Sequence, residues 1–99
     1  MRRLSRHTLT DLTARAAGSS RLRLNHNLHS GPDDPVQRML NAFEPGTYVR
    51  PHRHSDPPKW ELFVALRGRA AVLIFDDGGR VTDRRELMPA GEDTGVEIE

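Results

Sequence analysis

The chain has 99 residues, 35% of them hydrophobic and 29% charged, with a net charge of +1 and no cysteine. That length allows one small domain burying about two-thirds of its unfolded surface, and the missing thiols exclude disulfides, zinc ribbons and thiolate chemistry, so a metal would have to be held by histidine and carboxylate. Fourteen of the fifteen basic residues are arginines dispersed among acidic ones, which argues against nucleic acid as a partner, since such binders concentrate a basic face.

In chain order, Met1 to His7 is basic, but no apolar run follows to make a secretory signal. None approaches the ~18 apolar residues of a membrane span. The expectation is a cytoplasmic protein, with an organellar transit peptide the lesser alternative. Leu9, Leu12, Ala16 and Ala17 fall at helical offsets, predicting one short helix over 9–17 with Thr8 or Thr10 as N-cap and Gly18 as the stop. Residues 1–20 thus form a basic segment and helix, and 21–99 a β domain. Arg21 to Asn27 alternates as a half-buried strand; His26 and His29 are candidate ligands on residue type alone, and a structural or surface role is expected for each. After the Ser30 to Pro35 loop, Val36 to Phe43 is a strand whose polar Arg38 and Asn41 either line a pocket or sit at an exposed edge.

The stretch from Gly46 to Gly68 carries the chemistry. A strand from Thr47 would place Tyr48, Arg50, His52 and His54 on one face, with the two histidine Cβ atoms roughly 6.5 to 7 Å apart, close enough for both imidazoles to reach one ion at about 2.0 to 2.1 Å. Ser55-Asp56-Pro57-Pro58 breaks the strand, and Trp60 to Leu66 resumes as an apolar strand covered on both sides, starting near Glu61. A hairpin then returns Glu61 beside His52 and His54. Two imidazoles and a carboxylate suit Fe, Mn, Ni or Zn with open positions for substrate or water. The bland alternative is a solvated basic loop and a surface carboxylate. Tyr48, Arg50, Arg38 and Asn41 are the candidate substrate contacts, and no catalytic base is identifiable. Ala70 to Phe75 is an apolar strand, Asp76-Asp77-Gly78-Gly79 a hairpin turn, Arg80 to Leu87 its return strand, and Thr94 to Ile98 one more.

Gly46, His52, His54, Glu61 and Gly68 fall in the order of the first cupin motif, with six residues between His54 and Glu61, a longer spacer than its commonest form. Segments 35–42, 45–54, 59–63 and 75–77 resemble the WbuC-type cupin-fold metalloproteins found among polysaccharide-biosynthesis proteins, over about Arg21 to Ile98. The resemblance implies an all-β, double-stranded β-helix (jelly-roll) barrel with one short N-terminal helix. It implies too a barrel incomplete at the C-terminus, because the second cupin motif and its last metal ligand do not follow; Glu97, Glu99, water or another chain would have to fill in. Exposed edges of such a barrel predict a homo-oligomer. The function implied is metal-dependent isomerase- or epimerase-like chemistry on a sugar or sugar nucleotide. A non-catalytic sugar- or anion-binding module, or an inactive remnant, are the alternatives.

Overall fold

The computed structural model describes residues 1–99 and is mostly β with one short helix, in the order α1 (Arg6–Ala17), β1 (Arg23–Asn27), β2 (Met39–Phe43), β3 (Glu61–Val64), β4 (Ala70–Phe75), β5 (Val81–Leu87) and β6 (Gly95–Ile98). The strands form three separate two-stranded antiparallel sheets, β1–β2, β3–β6 and β4–β5. No ladder joins them into a closed barrel. No helix is long and apolar enough to cross a membrane. The chain divides into two compact units, Met1–Arg50 and Pro51–Glu99.

In the N-terminal unit, α1 begins three residues earlier than its apolar spacing predicts. Ser5, not Thr8 or Thr10, is the N-cap: the Thr8 N–H donates to Ser5 Oγ at 3.2 Å and the Ser5 N–H to Thr8 Oγ1 at 3.4 Å, a reciprocal capping box that satisfies N–H groups left over at the helix start. Gly18 closes it, its N–H donating to Ala14 O at 3.3 Å. The helix packs against β1 and β2 and buries Leu12 and Ala16, which with Leu40 of β2 make up the buried apolar core of the unit. The 28–38 connection is tied by backbone and side chain. His29 takes the structural role expected of it, since the Arg38 N–H donates to its Nδ1 at 3.1 Å. Asp34 accepts from the Ser30 and Val36 N–H groups at 3.2 and 3.1 Å.

The strand expected from Thr47 is not there: residues 48–54 enter no ladder. The Arg23 guanidinium donates instead to the Tyr48 carbonyl at 2.9 Å, and the Thr47 hydroxyl just before it donates to Arg21 O at 2.7 Å. Pro51 also has no N–H to give a ladder.

In the C-terminal unit the Asp-Asp-Gly-Gly turn joins β4 to β5 as its chemistry predicts. Asp76 Oδ1 accepts from the Gly78 and Arg80 N–H groups, both at 2.9 Å, and Oδ2 from Arg80 Nε at 3.1 Å. Gly79 adopts φ of +81°, a conformation that favours glycine. A register shift between Ile74 and Phe75 marks a bulge beside the turn. Leu87, at the end of β5, is the one buried apolar residue of this unit. Trp60 to Leu66 was expected to be covered on both sides; instead Leu62, Val64 and Leu66 are exposed, and so are Leu73 and Ile74 of β4. A two-stranded sheet covers at most one of its faces unless another layer packs on it.

The two turn carboxylates set an acid limit. The Arg80 N–H first, then the Arg80 guanidinium and the Gly78 and Gly79 N–H groups, hold Asp76 below the usual carboxylate range, as the Val36 and then the Ser30 N–H do for Asp34. Groups that bind protons less readily folded than unfolded contribute stability above their unfolded pKa and lose it as pH falls through the folded value. Thermal melts are therefore expected to fall below about pH 4, with a shallower fall in Asp76→Asn. An identical pH profile for wild type and variant would remove Asp76 from this account.

Candidate metal centre

His52 and His54 lie on the extended connection that precedes β3, and a bridge between Ser55 and Pro58 folds that connection back. The chain then enters β3 at Glu61, whose backbone is fixed opposite Ile98 of β6. The result brings three donors together. One ligand atom from each of His52, His54 and Glu61 lies within 4.8 Å of the others. His54 Nε2 is 3.5 Å from Glu61 Oε1, and the two imidazoles meet edge to face with centroids 5.2 Å apart. The histidines are exposed and Glu61 is half-buried, so the site opens to solvent.

The donor set fits a small divalent ion. Two ligands each about 2.1 Å from one ion and 3.5 Å from one another subtend about 110°, close to a tetrahedral angle. The widest allowed separation, 4.8 Å, slightly exceeds the ~4.2 Å that two such bonds can span. A rotamer adjustment of an exposed imidazole closes that difference. Between the two histidines, Arg53 forms an ion pair with Asp77 of the β4–β5 turn. That contact ties the histidine segment to a hairpin of the same unit and so restricts where the imidazoles can go. Exposed pairs contribute at most about 1 kcal/mol, so the tie is a weak one. The partner of Arg53 could not be read from the sequence.

Arg38, Asn41, Tyr48 and Arg50 belong to the N-terminal unit, and the triad to the C-terminal one. Asn41 stands exposed on β2 opposite Asn25, and Arg38 leads into that strand. Within the triad's own unit, an open groove of about 350 Å³ is lined by His54, Pro58, Lys59, Trp60, Glu97 and Glu99. Glu97 and Glu99 thus sit beside His54 across this groove but outside the three-donor cluster. Sequence reading missed Lys59 and Trp60 as groove residues, because only the pairing of β3 with β6 places them next to Glu97 and Glu99.

The family described as Domain of unknown function (DUF6016) matches residues 4–87. The chain therefore belongs to that family. Among curated proteins and among solved structures, nothing matches it.

Proposed function

We propose that this member of the DUF6016 family is a metal-binding protein that holds a divalent first-row ion (Fe, Mn, Ni or Zn) through His52, His54 and Glu61. The observation that carries the reading is the convergence of two imidazoles and a carboxylate within 4.8 Å, in a chain without thiols. Three protein ligands leave coordination positions open, and an ion so held supplies Lewis acidity to a carbonyl or hydroxyl oxygen. The cupin-like motif extends the proposal to a jelly-roll relative, cytoplasmic and self-associating, acting on a sugar or sugar nucleotide as an isomerase or epimerase. The groove beside His54 is where such a molecule would lie: the exposed Trp60 indole offers it an apolar face, and Lys59, Glu97 and Glu99 offer polar contacts.

The second reading, a module that binds a small molecule without transforming it, is favoured by the exposure of the histidines, since catalytic metal sites work best where water is excluded.

Elemental analysis of protein purified without chelator tests the metal directly. We expect about one first-row metal per chain, lost in His52→Ala/His54→Ala. Metal at 100 times its dissociation constant should also stabilise the wild type by about 2.7 kcal/mol, and leave the double variant unchanged. Folded wild type that neither carries nor responds to any of the four metals would overturn the proposal; turnover of sugar nucleotides against their recovery unchanged separates the enzyme from the binding module.

A further inference from the structure

Strand β3 presents an unpaired edge and an uncovered face together. Trp60, Leu62, Val64 and Leu66 share one side of the extended chain and are 62%, 59%, 55% and 54% exposed. Their common side follows from the two-residue alternation of a strand. The edge is equally open. β3 pairs with β6 and with no other strand. The Ala65 N–H donates to Thr94 O at 2.8 Å, and Val64 stands opposite Gly95. In an antiparallel ladder that phase turns the N–H and C=O groups of Phe63 and Ala65 toward β6 and those of Leu62, Val64 and Leu66 toward the opposite edge. Leu62 to Leu66 contains no charge, proline or glycine, so nothing in the segment blunts this edge in the way exposed edges ordinarily are.

We propose that a second copy of this chain occupies the edge, β3 pairing antiparallel with β3 of its twin about a two-fold axis through Val64. The inference rests on the self-association in the reading above and names its surface; it does not depend on the metal. Three observations select this occupant and register. The outward hydrogen-bonding residues Leu62, Val64 and Leu66 are symmetric about Val64, so the strand is its own complement, as an isologous interface requires. Leu62 of one copy then lies beside Leu66 of the other and Val64 beside Val64, apolar cross-strand pairs that shield part of the exposed stripe. The charges at the ends match as well. The same register sets Glu61 of each copy opposite Arg67 of the other, giving two pairs of opposite charges just ahead of the turn at Gly68, where φ is +68°.

Light scattering on the full chain across a concentration series tests the proposal. The wild type should show twice its 11.2 kDa chain mass. Val64→Lys, which sets two lysines directly opposite, should raise the dimer dissociation constant about tenfold or more. Leu73→Lys, at an exposed apolar position on β4, should remain dimeric. Because the chain has no cysteine, Val64→Cys adds a readout that does not depend on weakening the dimer: oxidation should give a single covalent dimer, since opposed Cα atoms about 5.5 Å apart lie within disulfide reach. A monomeric wild type would overturn the dimer and the self-association it rests on. A dimer that survives Val64→Lys and fails to crosslink through Val64→Cys would overturn the β3 surface while leaving self-association in place, and metal content measured on the same samples reports the metal reading separately.

Discussion

Gly95→Ala is expected to break the β3–β6 ladder and with it the metal site. A Cβ at position 95 would lie 2.5 Å from the Phe63 carbonyl oxygen and 3.3 Å from Val64 Cγ2. The first neighbour is backbone, held in its own ladder, and cannot swing aside as a side chain tip would, so β6 must shift. Forced overpacking of this kind costs about 1–3 kcal/mol and more when backbone has to move. The loss should reach the site, because Glu61 is positioned by its pairing with Ile98 three residues along the same strand. We therefore expect a clear fall in melting temperature together with weaker metal binding. Gly31→Ala, where the added methyl meets nothing within 4 Å, should leave both within error. A Gly95→Ala protein that melts and binds metal like the wild type would mean that β6 does not hold β3 as described.

The elements that could be read from the sequence are those whose cause is local. Asp76-Asp77-Gly78-Gly79 announces its hairpin because the Asp76 side chain and the φ of Gly79 supply the turn themselves. The helix was recognisable from Leu12 and Ala16, but its true start was not, since Ser5 and Thr8 cap each other ahead of the first apolar residue. Features that need a distant partner were read less well. The strand expected from Thr47 does not form: the Tyr48 carbonyl accepts from Arg23 and Pro51 has no N–H to give, and the first of these no local pattern records. Burial was overestimated for Leu62, Val64 and Leu66 for the same reason: an apolar run shows what could be covered, while another layer decides whether it is. The three donors come together without the strand that the His-x-His reading assumed: the Ser55–Pro58 bridge folds the chain back and returns Glu61 beside the histidines. The Arg53–Asp77 tie and the groove of Lys59 and Trp60 depend on the fold of the whole unit and left no trace in the sequence.

Leu87→Ala carries the other large expected effect, because it tests how thin the core of the C-terminal unit is. Leu87 is 3% exposed, while every other large apolar side chain of that unit remains at least partly accessible. It stands opposite Ala70 at the end of the β4–β5 ladder and bridges to Asp93, where the Met88 N–H donates to Asp93 O at 3.0 Å. Removing it takes away both its own burial and the surface against which that 88–93 turn closes. Leucine-to-alanine changes at such sites cost about 2–5 kcal/mol, a large share of the 5–15 kcal/mol that holds a small domain together. Leu73→Ala, at a side chain 41% exposed, should cost well under half as much, since most of that surface already meets water. Urea unfolding distinguishes the two: a much lower midpoint at unchanged slope for Leu87→Ala against a small shift for Leu73→Ala. Equal losses would mean that the β4 face is covered in solution. The dimer through β3 does not supply that cover, because β4 lies outside the ladder it builds.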